Sequence, residues 1–213
     1  MKIAVIGASG KAGNFILTEA LERGHEVTAI VRNANKITNK AATVIEKNIF
    51  ELQSNDIDSF DVIVNAFNAV PGQEHQHVEA GKVLIEALKH APHTKMIVVG
   101  GAGSLYVDEA KTLRVMDTPD FPAAYFPTAS NMGKNYEELQ QTSGIQWTYI
   151  SPSAFFDPSG KRTGSYVKGK DQLLVNTKGD SYISYADYAI AVLDEIEHPQ
   201  HRNERFTVVG EAQ

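Results

Sequence analysis

The chain reads as a single α/β domain over residues 1–213, a doubly wound parallel sheet of the Rossmann type. Three observations predict this. Apolar runs of strand length alternate with amphipathic helical stretches along most of the chain. The runs are nearly continuous in Val, Ile and Ala, as strands buried on both faces require. The first run also ends in Gly7-Ala8-Ser9-Gly10-Lys11-Ala12-Gly13, with glycines at three-residue spacing leading straight into a helical pattern.

Each element follows from local pattern. Residues 2–7 form a buried strand, and residues 11–23 a helix whose Ala12, Phe15, Ile16, Ala20 and Leu21 share a face before Gly24 stops it. Strands are expected at 26–32, where Val27, Ala29 and Val31 alternate, then at 43–47 and 61–66. A long helix at 74–91 carries Ala80, Val83, Leu84, Ala87 and Leu88 on one side, and 95–100 is the next strand. A helix at 131–143 precedes a strand at 146–151, with Ser130 as its cap. Ser184-Tyr185-Ala186-Asp187 has the form of a capping box, which explains Asp187 better than catalysis does. It opens a helix striped by Tyr188, Ala189, Val192, Leu193 and Ile196, and 205–209 is the final strand. Two irregular segments, 101–129 and 153–181, each follow a strand. They should therefore sit over the carboxyl edge, where ligands bind in such folds.

Bulk composition narrows the function. Hydrophobic residues make up 42% and charged residues 22%, an ordinary globular balance. A net charge of -6 argues against nucleic acid as a partner, because phosphate backbones require clustered Lys and Arg. No apolar run is long enough to span a membrane, and the N-terminus reads directly into a strand rather than a leader. The absence of cysteine removes disulfides, thiolate metal sites and cysteine nucleophiles, and fits a cytoplasmic location. His75 and His77 are two apart and face differently on a helix, so no metal is expected.

A glycine turn that exposes amides at a helix start is built to receive phosphate. Gly7 supplies the tight turn, Gly10 permits close approach of a pyrophosphate, and Gly13 permits close packing of helix on strand. The second strand ends in Val31-Arg32-Asn33. Sites for NAD place an acidic residue there to hold the ribose 2′-hydroxyl, whereas a guanidinium suits a 2′-phosphate. Arg32, with Lys36 beside it, points to NADP over NAD.

Several further segments occur in a familiar order: Val64-Asn65-Ala66, Val98-Val99-Gly100-Gly101-Ala102-Gly103-Ser104, Trp147-Thr148-Tyr149-Ile150-Ser151-Pro152-Ser153 and Ile183-Ser184-Tyr185-Ala186-Asp187-Tyr188-Ala189. With the glycine turn, these resemble the atypical short-chain dehydrogenase/reductases over essentially the whole chain. They are most similar to the NAD(P)H-flavin reductase and biliverdin-IXβ reductase-like group, with NmrA-like regulators as relatives. The resemblance implies that Gly7, Ser9, Gly10, Lys11, Ala12 and Gly13 line the phosphates and that Arg32 meets the 2′-phosphate. It places Asn48 and Ile49 at the adenine, Ala66 and Phe67 near the nicotinamide ribose, and Ser151, Pro152 and Ser153 beside the carboxamide. The nicotinamide is expected over the strand ends near Ala66, Gly101 and Ser151.

The catalytic positions depart from the wider family. Typical members carry a Tyr four residues before a Lys, and the phenol protonates the forming alcohol. Here Lys134 is preceded at that spacing by Ser130, a poor proton donor. Lys134 reads either as a ribose contact or as a solvated helix residue, and Ser104 either as a group at the acceptor or as a loop hydrogen bonder. The departure fits hydride transfer to an acceptor that needs no enzymic proton donor, such as a flavin, quinone or tetrapyrrole. A flavin would then be a substrate rather than a tightly bound group. Tyr106, Tyr125, Phe126, Phe155 and Phe156 in the two long segments are candidates for its flat apolar walls. Two alternatives remain at this stage: a non-catalytic, NmrA-like dinucleotide sensor, and a sugar-nucleotide epimerase or dehydratase.

Overall fold

The computed structural model describes residues 1–212. In chain order the elements are β1 (Lys2–Ile6), α1 (Lys11–Glu22), β2 (Glu26–Val31), β3 (Thr43–Glu46), α2 (Ser54–Ile57), β4 (Val62–Asn65), α3 (Gln76–Lys89), β5 (Lys95–Val99), α4 (Phe126–Gln141), β6 (Gln146–Ser151), β7 (Phe155–Asp157), β8 (Val167–Gly169), β9 (Tyr182–Ser184), α5 (Tyr185–Glu197) and β10 (Glu204–Val209). The eight-stranded sheet has the order β3-β2-β1-β4-β5-β6-β10-β8. All its pairings are parallel except β10 with β8. The direction of winding reverses between β1 and β4, which creates the crevice where this architecture receives ligands.

Alternate side chains of the strands feed two cores. Ile3, Val5, Ile150, Phe206 and Val208 pack under α1 and α5, while Ala4, Ile6, Ile63, Met96, Trp147 and Tyr149 pack under α3 and α4. This two-sided burial is why the strands read as unbroken apolar runs. In α1, Ile16 and Leu17 are completely or almost completely buried, and each such side chain contributes about 1.5–3 kcal/mol.

The structure changes three local expectations. α4 begins at Phe126, five residues before 131, with Pro127 in its first turn. Proline lacks the N–H that a first turn cannot use and has the helical φ already set. Ser130 therefore lies inside the helix and is not its cap. The capping box at α5 is half formed: Ser184 Oγ accepts from the Asp187 N–H at 3.0 Å, but the Asp187 carboxylate turns elsewhere. It accepts from the Thr163 N–H and hydroxyl and from the Gly164 N–H, at 2.8–2.9 Å. Asp187 is fully buried and anchors the 163–164 turn. Finally, the segment 153–181 is not wholly irregular, because it supplies β7, which pairs with β9, and β8, which closes the sheet edge.

Candidate active site

The Gly7–Gly13 turn is built around contacts too close for side chains. Gly7 has φ +77°, and a Cβ there would stand 2.7 Å from the Ala66 carbonyl oxygen at the end of β4. A Cβ on Gly13 would stand 2.4 Å from the Gly7 carbonyl oxygen, so α1 can rest directly on the turn. Gly10 stands at the head of α1, with no side-chain cap and no acidic residue in the first turn. The amides of that turn are left facing outward without a protein acceptor, an anion-binding end in the electrostatic sense.

A cavity of about 230 Å³ opens at this turn. Gly7, Ser9, Gly10, Arg32, Ile49, Ala66 and Phe67 all line it, as do Lys36, Lys47 and Asn68. Lys47 is committed to Asp56 at 2.7 Å. Arg32 is exposed. The nearby carboxylate of Glu46 accepts the Ala34 N–H at 2.7 Å, and Glu46 is not part of the cavity wall. The cavity thus joins a glycine cradle that a Cβ would fill to two cations free of ion pairs among the described residues, Arg32 and Lys36. Those features fit a phosphate-bearing dinucleotide. Lys11 and Ala12 occupy the first turn of α1 but do not line this cavity, and neither does Asn48. The Asn48 side chain accepts from the Phe50 N–H at 3.4 Å, and its neighbour Ile49 is the residue that reaches the wall.

Ser151 is completely buried at the carboxyl end of β6, and its Oγ has no protein partner. Pro152 is buried beside it, and the Ser153 Oγ donates to the Val208 carbonyl at 2.8 Å. Gly101 follows β5, and its N–H donates to Tyr149 Oη at 3.3 Å. Burial pushes the Tyr149 hydroxyl up to about 12, with the Gly101 bond pulling the other way. That phenol therefore stays protonated at neutral pH.

Ser104 and Lys134 share no hydrogen bond among the described residues. Lys134 is exposed and lies two residues, about 200° round the helix, from Met132, which faces inward beside Asn135 and Tyr149. Ser104 is buried, and its Oγ and carbonyl accept from Arg205 Nη1 at 2.9 and 3.1 Å. Arg205 also pairs with Asp171 at 2.9 Å and lies 4.5 Å from the centre of the Tyr136 ring. Neither Ser104 nor Lys134 lines either of the two cavities described here. Sequence reading missed Arg205 altogether. An arginine at the start of a terminal strand carries no motif, and its partners come from distant segments.

A larger cavity, of about 950 Å³, lies beyond Ser153. Its walls come from the 115–125 segment, the stretch after β6, the approach to β9 and Ala212 after β10. The aromatic candidates divide. Tyr125 and Phe155 line the cavity and are 66% and 60% exposed. Phe156 is instead committed to Tyr185 and Tyr188, with ring centres 3.8 and 4.8 Å away. Tyr106 is tied into bridges with Arg114 and Gln172, and Phe126 is exposed outside the cavity. No helix among the described residues is long and apolar enough to cross a membrane.

Known proteins resemble this chain along its whole length. A family model described as NAD(P)H-binding matches residues 7–199. The chain is 69% identical to YwnB, an uncharacterised protein of Bacillus subtilis, with 100% of both chains covered. A solved structure of a candidate NADH-flavin reductase from Streptococcus pneumoniae is 42% identical, covers 99% of this chain and 100% of that one, and superposes with a TM-score of 0.94. A candidate epimerase from Bacteroides thetaiotaomicron is 37% identical, covers 100% and 98%, and superposes with a TM-score of 0.90.

Proposed function

The chain belongs to the NAD(P)H-binding family of atypical short-chain dehydrogenase/reductases, and from that premise we propose that it reduces a planar acceptor, a flavin, at the expense of NADPH. The observation that carries this reading is the aromatic-walled cavity just past the end of β6, in a chain without a tyrosine–lysine pair at the expected spacing. When bound, the nicotinamide supplies a hydride from its C4 carbon. The chain's own residues do the rest by binding and positioning. The uncapped end of α1 and the Gly7–Gly10 turn hold the pyrophosphate, while Arg32 and Lys36 hold the 2′-phosphate. Ser151, with an unpartnered hydroxyl, orients the carboxamide. Tyr125 and Phe155 hold the acceptor ring flat.

Positioning alone suffices here. Holding two reactants in line supplies much of a bimolecular barrier, about 7–11 kcal/mol in favourable cases. The acceptor's proton comes from water, so the reaction needs no phenol. A carbonyl reductase or an epimerase of this family would need one, and α4 offers Ser130 at that spacing. The sensor reading draws on the same missing phenol, but it leaves the large cavity without a role.

The test is to mix the purified chain with NADPH and free flavin and follow the loss of nicotinamide absorbance. Turnover that saturates in flavin is the expected result. Tight dinucleotide binding without turnover on any flavin or quinone would favour the sensor.

A further inference from the structure

We infer that the acceptor cavity selects uncharged flavins, so that a flavin lacking its phosphate is the preferred substrate. This rests on the reductase reading above and adds the charge class of its acceptor.

The two cavities carry opposite charge. The cofactor cavity presents Arg32, Lys36 and Lys47, with no carboxylate in its wall. The acceptor cavity presents Asp120, Asp157 and Asp180 against the single cation Lys161. Among the described residues none of these four is in an ion pair, although several other surface carboxylates are. Asp157 is fixed in place: its Oδ2 accepts from Tyr182 Oη at 3.0 Å and its Oδ1 from the Ser159 N–H at 2.9 Å. It therefore cannot swing out of the wall to relieve repulsion.

A ring system meets little of this field. The faces of Tyr125 and Phe155 offer an isoalloxazine apolar contact regardless of its side chain. A terminal phosphate carries up to two negative charges and meets three carboxylates with one cation to offset them. Like charges across a cleft are repelled most strongly at low ionic strength. A bound dinucleotide brings more negative charge to the same edge. The structure thus places cations where phosphate is wanted and carboxylates where it is not.

The test compares riboflavin with FMN on the full chain with NADP⁺ present, by flavin fluorescence titration at low salt, and in parallel by NADPH-dependent turnover. Riboflavin is expected to bind at least about tenfold more tightly than FMN, and the gap should shrink as salt rises. The double variant Asp120→Asn, Asp180→Asn should narrow the gap about threefold or more. Neither of these side chains makes a hydrogen bond within the described residues, so this variant keeps the fold. Asp157→Asn should act in the same direction. FMN binding as well as or better than riboflavin, with turnover of both, would overturn this inference and leave the reductase reading standing. No binding and no turnover with either flavin would overturn both.

Discussion

At the scale of single residues, the account depends on a few atoms that permit no substitution. A Cβ at Gly13 meets backbone at 2.4 Å, and backbone cannot retreat as a flexible side chain can. Gly13→Ala should therefore cost stability by about 1–3 kcal/mol and weaken dinucleotide binding, as read by urea unfolding and a binding titration. Arg32 makes the opposite kind of contribution, since it is exposed and serves no structural purpose. Arg32→Ala should leave stability unchanged and weaken NADPH by about tenfold or more while moving NADH little. Equal losses for both would remove the 2′-phosphate from its place. The glycine turn and the place of Arg32 at the cavity beside it were legible in the sequence because their reasons are local: a turn, a close approach, a strand end. Ser104 was not legible, because its fate is decided by Arg205, which is 101 positions away along the chain.

Elements were read best where periodicity is long and worst where an end depends on a distant partner. α1, α3 and α5 follow their apolar stripes, and the ends of α1 and α3 fall within two residues of expectation. α4 was misjudged because Phe126, Pro127 and Thr128 extend no stripe, and Ser130 has the chemistry of a cap. Pro127 was the available signal. At α5 the first-turn acid is present but serves the 163–164 turn rather than the helix end. Removing a buried acceptor leaves three donors unsatisfied, so Asp187→Ala should destabilise by about 3 kcal/mol or more. Thermal unfolding would show it, and a loss below about 1 kcal/mol would mean that water replaces the carboxylate. The short strands β7 and β8 had no readable pattern, since three residues cannot show a period.

Across the whole molecule, charge is used both to tie helices together and to divide the ligand edge. Arg23, at the C-terminal cap of α1, pairs with Glu19, and with Asp194 and Glu197 on α5, at 2.8–2.9 Å. Burial alone would raise the Glu197 carboxyl, but hydrogen bonds from His25 and Arg23 outweigh it and hold the group below its usual range. Asp171, bonded to Lys111 and Arg205, and Asp56, bonded to Lys47, are lowered against burial in the same way. A carboxyl whose pKa is lower folded than unfolded stabilises the fold above its unfolded value and loses that contribution as pH falls. Burial also disfavours protonation of His77, which acts in the same direction. The melting temperature should therefore hold on the neutral side and fall progressively from about pH 6 toward pH 3. A melting temperature that rose with acid would contradict this electrostatic picture. The doubly wound parallel class was legible at this scale, because alternation of strand and helix leaves few topologies open, whereas the antiparallel β8 edge was not. The opposite charge of the two cavities was not, since Asp120, Asp157 and Asp180 converge only after folding.

Everything functional follows from the outward amides at the head of α1 and the cations beside them. Calorimetric titration of the purified chain with NADPH and then with NADH tests that directly. One saturable site for NADPH, filled more tightly than by NADH, is expected. Absence of heat with either nucleotide, or indifference between them, would contradict it.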